Sequence, residues 1–243
     1  MTDTGIGAPV RRKEDQRFIT GNGHYTDDIN LKHQTYAKFV LSPHAHAKIK
    51  SIDTSAAEAA PGVVAIFTGK DIAEAGVGGL ICGWMIHNKD GSPMSAGPHP
   101  ALAADKVRYV GDHVAVVIAE SLAEATAAAE LVDVDYEVLG ANVDPAKAQD
   151  KGVAQVHDEA ANNRVYNWSI GDEDAVNAAF KGAAHVTSLD IINNRLIPNP
   201  MEPRAAIGDY DAGTGVYTLS TTSQNPHVVR LILAAFLGLA PET

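Results

Sequence analysis

The run from His113 to Leu139 constrains the fold most. It sets a strongly apolar strand, His113-Val-Ala-Val-Val-Ile-Ala119, a short helix, and an alternating strand, Asp133-Val-Asp-Tyr-Glu-Val-Leu139, in immediate succession. Between the strands, Ser121-Leu-Ala-Glu124 matches a capping box, with Ser121 as N-cap and Glu124 three positions on. An Ala-rich helix running to about Leu131 follows from it. Strand, helix and strand at this spacing predict a layered α/β domain that ends near residue 140.

Upstream segments extend the pattern. Tyr36–Leu41 and Ala47–Ile52 read as strands, the second alternating Ile with Lys at period two. Thr54–Ala60 reads as a small helix stopped by Pro61-Gly62, Val63–Thr68 as a strand, Gly69–Ala75 as another short helix, and Lys106–Val110 as a strand. Residues 76–104 form a long loop. Its Cys82, Trp84 and Met85 favour packing over exposure to solvent.

Gly140–Asn163 reads as a connector. After it the pattern predicts a strand at Arg164–Ile170, a helix at Asp172–Lys181 with three acidic residues at its positive end, and a strand at Ala184–Asn193. Two further strands, near Ala205–Tyr210 and Gly215–Thr222, are joined by Asp211-Ala-Gly-Thr214. The last helix, His227–Leu237, is closed by Gly238 and has almost no polar face apart from Arg230, so it is expected to be buried.

Of the 243 residues 45% are apolar, enough to build a core, and the net charge of −11 opposes binding to nucleic acid or an anionic membrane surface. Cys82 is the one cysteine, which removes intramolecular disulfides and Cys-based zinc sites and points to a reducing compartment. The N-terminus lacks the pattern of an export signal, and no run reaches the roughly 18 apolar residues needed to span a bilayer. A cytoplasmic protein is expected. His44 and His46 would share a side in an extended chain, but no nearby carboxylate or thiolate completes a metal shell. Gly21 and Gly23 suit a tight turn that Asp27 and Asp28 bracket. With no strand before them, they do not form a dinucleotide fingerprint. Residues 1–30 read as an arm that packs along something else.

One stretch remains. From Asn194 to His227, two proline-stiffened polar segments, Pro198-Asn-Pro-Met-Glu-Pro-Arg204 and Ser223-Gln-Asn-Pro-His227, flank two hairpin-forming strands. A buried strand rarely carries Glu, Arg, Gln and His beside prolines. Local chemistry leaves two readings open, a solvated pair of turns or a site.

Five segments resemble, in order, the molybdenum-cofactor-binding large subunit of the xanthine dehydrogenase and aldehyde oxidase family, and within it the aerobic carbon monoxide dehydrogenase branch. They are Arg12-Lys-Glu-Asp-Gln-Arg-Phe-Ile-Thr-Gly-Asn-Gly-His-Tyr-Thr-Asp-Asp28, Ser42-Pro-His-Ala-His-Ala47, Val107-Arg-Tyr-Val-Gly111, Pro200-Met-Glu-Pro-Arg204 and Ser223-Gln-Asn-Pro-His227. The resemblance implies an α+β fold: an N-terminal arm (1–17), an α/β hammerhead domain (18–140), a connector (141–163) and the first part of a molybdopterin-binding domain (164–243).

The family hydroxylates a substrate carbon with oxygen from water at a molybdenum-pterin cofactor, and passes electrons through 2Fe-2S clusters to FAD. By resemblance, Gln224 donates a hydrogen bond to an oxo ligand on Mo, and Glu202 and Arg204 brace that wall or pair with each other. The family's glycine-rich loop, reactive-cysteine loop, further pterin loops and glutamate base have no counterpart up to Thr243, and Cys82 lies in the hammerhead region. The implied function is therefore one wall of a Mo site completed by other polypeptide, with FAD and 2Fe-2S clusters on partner chains and a small-molecule substrate. The other function class is a non-catalytic interaction module that keeps the hammerhead scaffold.

Overall fold

The computed structural model describes residues 5–200 and 202–240. They form two compact units: the arm up to His33 together with Arg195–Asn225, and Gln34–Asn194 together with the segment that starts at Pro226. The arm carries helix α1 (Asp15–Ile19) and a 3₁₀ turn at Thr26–Asp28. Asp28 caps this 3₁₀ turn and not the Gly21–Gly23 turn expected from the sequence, the Tyr25 N–H donating to Asp28 Oδ2 at 2.8 Å. Phe18 stacks on Tyr25 with ring centroids 5.9 Å apart. Gly23 is required because a Cβ there would collide with the Phe18 ring.

The larger unit holds strands β1 (Tyr36–Leu41), β2 (Ala47–Asp53), β3 (Val63–Thr68), β4 (Lys106–Val107), β5 (His113–Ala119) and β6 (Asp133–Val138). Its helices are α2 (Ser55–Glu58), α3 (Gly69–Glu74), α4 (Leu122–Ala129), α5 (Glu173–Gly182) and α6 (Pro226–Leu237). Two three-stranded sheets result, in the orders β1-β5-β3 and β4-β2-β6, with every pairing antiparallel.

The apolar run of β5 is explained by this topology, because its two faces serve two cores. Val117 packs with Ala57 of α2 and Ala128 of α4. Val114, on the opposite face, packs with Ala47, Ala103 and Val107, against Ile49, Val134 and Tyr136. The alternation in β2 is explained as well. Its lysines lie on the wet face, where Lys48 meets Glu137 at 3.2 Å and Lys50 meets Asp135 at 2.9 Å. Exposed pairs of this kind contribute little; they mark which face is solvated.

The Ser121 N-cap of α4 forms as read, while the Glu124 carboxylate takes the Ser121 hydroxyl in place of its backbone N–H. Ser121 Oγ accepts from the Glu124 N–H at 3.2 Å and donates to Glu124 Oε2 at 2.7 Å. Ser121→Ala is expected to cost about 1 kcal/mol, measured as a lower urea midpoint with an unchanged slope.

Four expectations are corrected. Strand β4 covers two residues instead of five, because the Arg108 N–H turns to Asp112 Oδ2 at 2.9 Å and leaves the ladder. The 76–104 loop leaves the apolar side chains of its first part exposed, Trp84 at 81% with Leu80, Ile81 and Met85 exposed too, and buries Leu102 and Ala103 only at its end. It carries bridges of its own at Gly79–Pro100 and His87–Pro93 and bonds outward as well, as from the Gly78 N–H to the Phe236 carbonyl at 2.9 Å.

The strands expected at Arg164–Ile170 and Ala184–Asn193 belong to no ladder. The first is held by separate bonds to the 88–95 loop, such as Ser95 N–H to the Val165 carbonyl at 2.8 Å and Asn167 N–H to Asn88 Oδ1 at 2.6 Å. The second leaves Leu189, Ile191 and Ile192 exposed. An extended segment becomes a strand only where a neighbour supplies donors and acceptors, and among the described residues none does. The last helix, expected to be buried, buries only Ala234, with Val228, Leu231 and Leu237 about half exposed. Its apolar sequence provides a surface for burial, but among the described residues few side chains cover it.

Candidate functional site

The candidate site is built on a hairpin of the smaller unit, β7 (Ala206–Asp211) and β8 (Val216–Thr221), paired from Ala206–Thr221 to Asp211–Val216. Its turn is closed by Asp211. The carboxylate accepts from the Thr214 hydroxyl at 2.8 Å and the Gly213 N–H at 2.8 Å. The Thr214 bond, followed by the Gly213 bond, holds the Asp211 carboxyl below the usual carboxylate range. Gly215 adopts a φ of +75, a conformation that costs glycine little. Tyr210 and Tyr217 face each other across the strands at 4.5 Å.

The functional residues lie at the hairpin's open end. The Thr221 hydroxyl donates to the Ala205 carbonyl at 2.9 Å and ties the two strands together beyond their last ladder pair. Beyond this tie, Glu202-Pro-Arg204 leads into one strand and Thr222-Ser-Gln224 leads out of the other. The pairing therefore brings together the two segments that the sequence separates by about twenty positions. Pro203 cannot donate to a ladder, and the Asn225 N–H bonds to Ser223 Oγ at 3.0 Å, which bends the chain at Gln224. The polar residues are thus kept out of the sheet.

Their states differ. Gln224 is exposed, and its side chain makes no hydrogen bond among the described residues. Arg204 is exposed and forms no ion pair among the described residues. Glu202 is half-buried and accepts from the Thr26 N–H at 3.1 Å, so it is engaged with the arm and not with Arg204. Met201, between Pro200 and Glu202, lies outside the described residues. Thr26 is the member of this group that the sequence did not suggest. It sits 176 positions from its partner, and no local signal marks such a contact.

The imidazoles weighed as metal ligands sit in different settings. His46 is buried, with Nδ1 2.8 Å from the Gly140 carbonyl oxygen, and His44 lies edge-on to the Tyr136 ring at 5.0 Å. No cluster of three or more His, Cys, Asp or Glu side chains able to hold a metal occurs among the described residues. No helix among the described residues is long and apolar enough to cross a membrane.

An amide and a guanidinium carried by the two segments at one end of a hairpin are donors suited to an oxygen-rich, anionic group. They do not suit direct ligation of a metal ion. Residues 20–140 match the aldehyde oxidase and xanthine dehydrogenase a/b hammerhead domain, and residues 156–243 match a molybdopterin cofactor-binding domain. The carbon monoxide dehydrogenase large chain of Afipia carboxidovorans is 36% identical over 98% of this chain and 29% of its own length. The nicotine 6-hydroxylase large subunit of Paenarthrobacter nicotinovorans is 38% identical over 98% of this chain and 28% of its own. Among solved structures, quinoline 2-oxidoreductase from Pseudomonas putida 86 is similar with a TM-score of 0.84 and 35% identity, covering 96% of this chain and 29% of that one. The chain spans less than a third of the length of these relatives. It belongs to the aldehyde oxidase and xanthine dehydrogenase family, as an α+β chain made of the hammerhead domain and molybdopterin cofactor-binding sequence.

Proposed function

We propose that this chain is the N-terminal portion of the molybdopterin-binding subunit of a molybdenum hydroxylase of the carbon monoxide, aldehyde or N-heterocycle dehydrogenase type. It contributes one wall of the Mo site to an assembly completed by further polypeptide. The carrying observation is the free Gln224 amide at the open end of the hairpin, inside the stretch that matches the molybdopterin cofactor-binding domain.

In this reading the hammerhead domain takes residues 18–140, the connector 141–163 and the cofactor-binding part 164–243, with 1–17 as the arm. The cofactor, when bound, supplies the redox chemistry that transfers an oxygen from water to a substrate carbon. The chain's own residues supply position and charge. Gln224 donates its amide N–H to an oxo ligand of the cofactor, stabilising negative charge with a dipole that needs no reorganisation. Pro203 and the Ser223 turn fix the two segments from which Gln224 and Arg204 project. Glu202 stays bonded to the Thr26 turn, within the segment up to His33 that shares its compact unit, and supports the wall.

The FAD and 2Fe-2S clusters that this reading brings, on partner chains as the family resemblance implies, lie outside this stretch, since a 2Fe-2S cluster takes four protein ligands, usually cysteines, and Cys82 is the sole cysteine here. The assembly is a cytoplasmic hetero-oligomer acting on a small-molecule substrate. Native purification through a tag on this chain, with metal analysis and mass spectrometry of what accompanies it, tests the reading. Stoichiometric Mo and a companion bearing the glycine-rich and glutamate segments are expected. A complete assembly free of Mo would return the chain to the class of non-catalytic scaffold modules.

A further inference from the structure

We propose that Glu202 is a latch that holds the N-terminal arm to the hairpin, and that it acts as a positioning residue for the wall carrying Gln224. The second half rests on the function proposed above; the first stands on geometry alone. At the 3₁₀ turn the amides are largely used locally. Tyr25 N–H goes to Asp28 Oδ2 at 2.8 Å, Asp28 N–H to the Tyr25 carbonyl at 3.1 Å, and Ile29 N–H to the Thr26 carbonyl at 3.2 Å. Thr26 instead donates outward, to Glu202 Oε1 at 3.1 Å in a partly buried setting.

Glu202 is well suited to receive it. Pro203 follows and restricts Glu202 to extended backbone, which limits where the carboxylate can reach. A carboxylate accepting an amide N–H also makes one of the stronger neutral-to-charged bonds. On the arm side, the Phe18–Tyr25 stack and the Gly23 approach hold the turn in one shape. From Glu202 the connection continues through Arg204 to Ala205, and across the Thr221–Ala205 bond to the strand that ends in Gln224. Arm, latch and wall form one chain of contacts within one compact unit.

The test is hydrogen–deuterium exchange over residues 24–33 in the native assembly. Glu202→Ala is expected to speed exchange there about tenfold, the scale of one charge-assisted bond, while Glu202→Gln, which keeps an acceptor oxygen, restores most of the protection. Thr26→Pro removes the donor from the other side of the bond. Proline is tolerated at the first helical position, and Tyr25 before it is extended, with φ −103 and ψ 166. It should reproduce Glu202→Ala, and the double variant should be no worse than either single one. Unchanged exchange in Glu202→Ala, or additive effects in the double variant, would overturn the latch. If Glu202→Ala fails to assemble, Thr26→Pro alone decides the matter.

The positioning role predicts that Glu202→Ala lowers kcat by about tenfold with KM little changed, as expected when one charge-assisted bond is lost, and that Glu202→Gln recovers it. Full activity with a loosened arm would overturn that role and leave the latch standing. An assembly without Mo would remove the activity readout while the exchange result still applied.

Discussion

Gln224→Ala is expected to lower turnover of the loaded assembly by about a hundredfold, the scale seen when one preorganised donor to a developing negative charge is removed. Folding is expected to stay intact, because Gln224 is exposed and its side chain makes no hydrogen bond among the described residues. Its circular dichroism and Mo content should match the parent protein. Gln224→Glu should fall at least as far, since a carboxylate offers acceptors where a donor is needed. Steady-state kinetics with a dye acceptor read both variants. Full turnover in Gln224→Ala would show that the hairpin's open end is not the wall of a working site.

The largest effect on stability is expected at Val117. Its side chain is fully buried between α2 and α4, and Val117→Asp would place a carboxylate there with no basic residue in the cluster. An unpaired buried charge belongs to the small class of changes that cost more than about 4 kcal/mol. Loss of the cooperative urea transition of the Gln34–Asn194 unit is expected. Val117→Ala, which leaves a cavity without a charge, should keep the transition and lower its midpoint. A cooperative, near-parental transition in Val117→Asp would show that this cluster is not the core of the unit.

These two residues also mark how far the sequence could be read. Val117 was legible because a continuous apolar run between a polar start and a capped helix has few places to go except the middle of a sheet. The structure places that run between β1 and β3 with one core on each face. The hairpin was legible for a similar reason, since alternating strands joined by Asp-Ala-Gly-Thr carry their own turn chemistry. Gln224 and Glu202 were legible only through the five segments that resemble a family. Their local chemistry fits a solvated turn equally well.

What failed to be read has a common cause. Residues 184–193 have strand-like composition but no ladder, and α6 has a core-like composition but only Ala234 buried. Composition specifies what a segment would gain from a neighbour; whether a neighbour arrives depends on chain far away. The sequence by itself determined the local devices, namely the Ser121–Glu124 cap, the Asp28 and Asp211 turns, and the lysine face of β2. Each needs only residues within a few positions or one period. Only the tertiary structure decided that Thr26 donates to Glu202 across 176 positions, and that Glu202 therefore engages the Thr26 turn while Gln224 and Arg204 make no side-chain bond among the described residues. A hydrogen bond between distant segments has no period or spacing in the sequence. It exists only once the strands that carry it have paired.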